Sequence, residues 1–131
     1  KILEFSKAVK KNTGRAIAQE IVDSGKALKK FERICEAQGG MREIPISKFT
    51  HTVASKNTGK IIAIDNRRIA RVAKLAGAPK SKAAGVELLN SVNSLVVKNE
   101  PLFIVHAESR GELDYAVNYL EQTQIVTIES A

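Results

Sequence analysis

Residues 59–79 read GKIIAIDNRRIARVAKLAGAP, and the fold class turns on them. The apolar run 60–64 is short and β-branched, which suits a strand rather than a helix. Asp65 follows where an N-cap belongs, ready to accept from the free amides of a first helical turn. Ile69, Val72, Ala73 and Ala76 then recur at helical spacing and share one face. Gly77 can take a left-handed conformation and Pro79 cannot continue the ladder, so the helix stops there. A strand running straight into a capped helix predicts a domain of mixed α and β structure.

Working outward, runs at 85–89, 95–97 and 102–107 read as short strands separated by Asn, Ser and Pro turns. Ser109 and Glu112 have capping-box spacing ahead of Leu113, Ala116, Val117 and Leu120, and 125–128 reads as a closing strand. Upstream, residues 24–40, SGKALKKFERICEAQGG, carry the punctuation of a helix. Ser24 is the expected N-cap, and Gly39 and Gly40 supply the positive φ that ends it. Leu28, Phe31, Ile34 and Cys35 fall on one face, which predicts packing on a core. Asn12 or Thr13 caps a shorter helix bearing Ile17, Ile21 and Val22, and residues 1–12 are expected to continue a helix. Residues 41–56, with Pro45 and scattered Ile44, Ile46 and Phe49, suit an extended crossover. The expected architecture is α+β: an N-terminal helical pair and linker over 1–56, then a mainly antiparallel β module with two helices over 57–131.

The composition, 44% hydrophobic and 27% charged over 131 residues, is that of one globular domain. No apolar run reaches the roughly 20 residues of a membrane span, and residues 1–11 lack the apolar stretch of a secretion signal, so a cytoplasmic location is expected. Opening on Lys1 rather than Met suggests a piece of a longer polypeptide. The lone Cys35 lies on an apolar helix face and reads as a buried, reduced thiol without chemistry. The net charge of +7 is unevenly spread. Residues 1–82 hold nineteen lysines and arginines against seven acids, whereas 83–131 hold Lys98 and Arg110 against the other seven. A basic half of this kind can attract polyanions. With the signature motifs and aromatic platforms of nucleic-acid modules missing, nucleic acid is not an expected partner, and a basic polyanion-binding module is the alternative from a different class.

The wording of several segments is familiar in order and spacing. Ala27-Leu28 and Phe31 lead to Ala37-Gln38-Gly39-Gly40. Then come 59–66, Arg68-Ile69-Ala70-Arg71, Ala76-Gly77-Ala78-Pro79, Ala84-Gly85-Val86-Glu87-Leu88 and Glu100-Pro101-Leu102-Phe103. Together they resemble the C-terminal domain of the thymidine and pyrimidine nucleoside phosphorylases, close to the relatives called AMP phosphorylases. The resemblance covers most of the chain after about Gly14 and is strongest over 59–103. It implies a hammerhead and barrel-sandwich-hybrid module. It also implies a parent enzyme, a pentosyltransferase, that uses inorganic phosphate as co-substrate and no cofactor and works as a homodimer or larger. Residues 1–56 would then belong to the body of that enzyme. Where such proteins place glycine turns, this chain has Asn93-Ser94 and Asn99-Glu100, and Asn tolerates the same left-handed backbone.

No catalytic, substrate-binding or metal site can be assigned. Phosphorolysis needs donors that cradle phosphate and charged groups that stabilise a departing base. The family's phosphate loop and base-holding motifs match nothing here. Gly39-Gly40 runs into Met41 and Arg42 and reads as a helix end, and 55–59 (SKNTG) reads as a turn. His51 and His106 are the only histidines, without metal-ligand spacing. His106 falls in phase with Leu102 and Ile104 on a strand and reads as a satisfied, partly buried imidazole. Arg67, Arg71 and Lys74 form a basic stripe opposite an apolar face, expected to be solvated. Glu112, Asp114 and Glu121 sit at a helix start or on its surface and form no carboxylate pair. A lipoyl or biotinyl carrier needs a lysine at a hairpin tip beside methionine or aspartate, and none stands in that setting. This chain alone is therefore expected to be inactive.

Overall fold

The computed structural model describes residues 1–130, which divide into a helical unit over 1–43 and a β module from Ile44 onward. The elements are, in order, a 3-10 turn (Ile2–Phe5), α1 (Gly14–Asp23), α2 (Lys26–Ala37), β1 (Phe49–Ala54), β2 (Gly59–Ile64), α3 (Asn66–Leu75), β3 (Gly85–Leu88), β4 (Leu95–Val96), β5 (Pro101–Ala107), α4 (Arg110–Glu121) and β6 (Val126–Ser130). The α+β reading holds, with every strand pair antiparallel.

In the helical unit, the hinge between α1 and α2 is Gly25 rather than Ser24. Gly25 has φ 72°, donates to the Val22 carbonyl and stands at the N-cap of α2, so one residue both closes α1 and opens its neighbour. Ser24 thereby becomes the end of α1, its amide donating to Glu20. The start of α1 also departs from expectation. Thr13 makes no side-chain cap; instead the Glu4 carboxylate accepts from the Gly14 amide at 2.9 Å, placing negative charge at the positive end of the helix. Residues 1–12 supply only the 3-10 turn that positions Glu4, not a longer helix.

The end of α2 is as read. Gly40 donates to Cys35 at 2.8 Å and Gly39 to Glu36 at 3.1 Å, both glycines at positive φ, which is the Schellman pairing. The apolar stripe, however, packs on no core. Leu28 is 59%, Phe31 53% and Ile34 45% exposed, and Cys35 is half-buried rather than buried. Among the described residues of this unit only Gly14 is buried.

The β module holds two three-stranded sheets. One has the order β1-β5-β3, the other β4-β2-β6. Strand β1 lies in the segment read as a crossover. Its run FTHTVA is half polar, and it becomes a strand by pairing along β5, Phe49 with Ala107 through Val53 with Phe103. Along β5, Phe103, Val105 and Ala107 point inward and are buried, while Ile104 and His106 point outward and are half-covered. Helices α3 and α4 pack on the inner face and on each other. Val72 and Ala76 from α3 and Ala116 from α4 close the core with Ile61, Val96, Leu102 and Ile125.

Local chemistry fixes the connections. Asp65 caps α3, its carboxylate accepting from Arg67 and Arg68 amides at 3.0 Å, and Ser109 caps α4 through the Glu112 amide. In the second cap Glu112 turns back onto the Ser109 hydroxyl at 2.9 Å. Asn93 and Asn99 take the left-handed turns, at φ 78° and 70°. Residues 55–58 are the turn between β1 and β2. Ser55, 1% exposed, donates its hydroxyl to the Asn57 carbonyl, and its backbone exchanges hydrogen bonds with Glu100 and Asn99.

Candidate functional site

His106 is partnered at both of its ring nitrogens. β5 carries it to the outer face of its sheet, opposite Thr50 of β1 and Gly85 of β3. Its Nδ1 lies 2.9 Å from the Ser47 hydroxyl and its Nε2 3.3 Å from a Glu87 carboxylate oxygen. A carboxylate, an imidazole and a hydroxyl in line are the parts from which an activated serine is built. Here the Glu87 side chain is 58% exposed, and neither groove described below is lined by Ser47, Glu87 or His106. The arrangement satisfies both ring nitrogens and ties residue 47 to the sheet ahead of β1. The imidazole is thus partly buried and partnered, as its phase on the strand indicates. Glu87 and Ser47 could not be named as its partners from the sequence, because they lie 19 and 59 residues away.

His51 points inward from β1, opposite Val105 and half-buried, one register position from His106 but on the other face of the sheet. Among the described residues no group of three His, Cys, Asp or Glu side chains could hold a metal. Gly39 and Gly40 end α2. Asp114 and Glu121 are exposed on α4, and Glu112 is engaged with Ser109. An open groove of about 450 Å³ lies where β1, β5, α4 and β6 meet, with Leu102, Phe103 and Ile125 at its floor and Lys56 and Gln122 at its rim. Its lining mixes these apolar side chains with Asn57, Glu121, Thr123 and Gln124. A second hollow, between 88–94 and Ile64, sets Leu88, Leu89 and Val92 beside Asn and Ser side chains. Arg67, Arg71 and Lys74 remain as an exposed basic row on α3, and Arg71 lies over the Tyr119 ring.

No helix among the described residues is long and apolar enough to cross a membrane. Comparison with known proteins identifies the β module. Residues 60–127 match the family described as the pyrimidine nucleoside phosphorylase C-terminal domain, from β2 into β6. The chain belongs to that family. Proteins named "putative thymidine phosphorylase" are similar over nearly all of it. The one from Legionella pneumophila (strain Corby) is 52% identical over 126 residues, 96% of this chain and 24% of the relative. Those from Sphingopyxis alaskensis and Maricaulis maris are 48% and 46% identical over 92% and 98% of this chain, 23% and 25% of the relatives. This phosphorylase C-terminal domain with its helical pair therefore spans about a quarter of the length of the curated relatives it matches.

Proposed function

We propose that this chain is the C-terminal structural part of a thymidine phosphorylase-type pentosyltransferase and takes no direct part in the chemistry. In that reaction a phosphate oxygen bonds to C1′ of the pentose as the bond from C1′ to the pyrimidine nitrogen breaks. The products are the free base and pentose 1-phosphate. The observation that carries the reading is the family match, which runs through the core-bearing β module. The exposed stripe of Leu28, Phe31 and Ile34 supports a second part of the proposal. Residues 1–43 belong to the body of the longer enzyme and find cover there, while the β module from Ile44 onward forms the appended domain. The parent is a cytoplasmic homodimer or larger, with nucleoside and phosphate as its small-molecule partners.

The test is phosphate-dependent release of free base by the full-length protein, offered thymidine, uridine, AMP and CMP, with this chain assayed alongside. Cleavage of thymidine or uridine by the full-length protein and none by the chain is the expected result. Cleavage of AMP or CMP alone would move the assignment to nucleoside monophosphates. Release of base by the chain itself would overturn its structural role.

A further inference from the structure

Helices α3 and α4 lie side by side and run in opposite directions. At one end the Arg68 guanidinium donates to the Gln124 carbonyl just past α4, and at the other Gly77 lies against Ser81 and Glu112. On α3, Arg67, Arg71 and Lys74 follow one another at intervals of four and three and so share a side, turned from the buried Val72 and Ala76. On α4, Tyr115 and Tyr119 stand one turn apart on the side that meets this row. The Arg71 guanidinium carbon is 5.1 Å from the Tyr119 ring centroid, and Tyr115 is 69% exposed. The same periodicity sends Asp114 and Glu121 to the opposite side of α4. The Asp65 carboxylate, which accepts from the Arg67 amide, is paired with Arg68, and the Ser109 hydroxyl engages Glu112. Among the described residues Arg67, Arg71 and Lys74 have no carboxylate within ion-pair distance. The surrounding sequence sharpens the imbalance: residues 44–82 contain nine lysines and arginines and one acid, Asp65.

We propose that this α3–α4 face binds single-stranded nucleic acid. The row runs about 10 Å along α3, and its three cations neutralise phosphodiester groups. Tyr115 offers an open ring on which a base stacks, and Arg71, held over the Tyr119 ring, presents its guanidinium as a donor to phosphate. An acidic polypeptide would satisfy the charges and leave the exposed ring unused, which is why the tyrosines favour a nucleic acid. The sequence hid this platform because the tyrosines lie more than forty residues from the arginines they join. The inference is independent of the proposed enzymatic role of the longer protein.

The test is fluorescence anisotropy of the 131-residue chain with a labelled oligodeoxythymidylate of about 12 nucleotides. Saturable binding in the roughly 1–100 µM range at low salt is expected, and three phosphate contacts predict a loss of about 20-fold between ~50 and ~200 mM salt. Arg67→Glu and Lys74→Glu should each weaken binding about tenfold or more. Tyr115→Ala should weaken it to a similar extent while leaving the salt slope unchanged. Lys7→Glu, in the helical unit, should do nothing, and circular dichroism should show all four variants folded. The proposal fails if no saturable binding occurs, or if Lys7→Glu weakens binding as much as Lys74→Glu. It fails equally if polyglutamate or an abasic oligonucleotide competes as well as the oligonucleotide, or if Tyr115→Ala binds like the parent chain; those results assign the face to an acidic polypeptide or to charge alone.

Discussion

Gly59 opens β2, the middle strand of its sheet, opposite Val96 on one side and Ser130 on the other. A Cβ built there overlaps the Glu129 carbonyl oxygen and lies 2.9 Å from both the Glu129 carbonyl carbon and Ile128 Cγ2. The Ile128 side chain could swing away, but Glu129 is backbone within β6, so Gly59→Ala has to prise β6 from β2 at this end. Forcing an extra methyl into packed structure costs roughly 1–3 kcal/mol, and a lost ladder hydrogen bond adds about 1. The stiffer unfolded chain returns about 0.4–1 kcal/mol, leaving a net loss of about 2–3. For a domain of this size that is a fall of roughly 10 °C or more in Tm. The assay is urea unfolding followed by tyrosine emission, which reports the β module because both tyrosines lie on α4 and the chain has no tryptophan. Gly85→Ala is the control, since a Cβ there meets nothing within 4 Å, and its stability should stay within about 0.5 kcal/mol of the parent. Equal unfolding midpoints for the two variants would refute the reasoning.

Other substitutions separate core, cap and uncovered surface. Asp65→Ala removes the acceptor of two helix-start amides and the ion pair to Arg68, and should cost about 1–2 kcal/mol in the same urea assay, most of it recovered by Asp65→Asn. Phe103→Ala empties the centre of β5, where the ring is 1% exposed, and should cost about 3–5 kcal/mol, seen as a large drop in the urea midpoint. Phe31→Ser, on the exposed stripe of α2, should shift the midpoint of this chain by less than about 0.5 kcal/mol.

What could be read from the sequence was what local chemistry decides. Asp65 and Ser109 cap because each oxygen needs only amides two or three residues ahead, and Asn93 and Asn99 turn because their own side chains permit it. Strand β1 escaped because Thr50, His51 and Thr52 stand together and break the alternation of a half-buried strand, and it owes its conformation to β5, about fifty residues later. The hinge at Gly25 escaped for a subtler reason: Ser24 is a legitimate cap by composition, and only the positive φ of the next residue decides which helix it serves. The stripe of α2 shows the limit of periodicity, which tells which side chains are meant to be covered and not by what. The partners of His106 and the tyrosines beside Arg71 are likewise products of the fold, brought together from distant segments.

The distribution of burial says where this chain's stability resides. Among the described residues, all ten buried apolar side chains fall between Ile61 and Ile125, inside the span that matches the phosphorylase C-terminal family. Helices α1 and α2, of ten and twelve residues, have no buried apolar side chain to hold them, and helices of that length are marginal in water without tertiary packing. Their caps are nevertheless well made: a carboxylate at the start of α1, a Schellman pair at the end of α2, and one glycine shared between them. Good caps with an uncovered stripe are what a helix pair needs when its termini are set locally and its face is covered from elsewhere. The β module instead carries core, caps and turns within one stretch of chain, so destabilising substitutions there should act on the module itself, and those on the α2 stripe should register only where that stripe is covered.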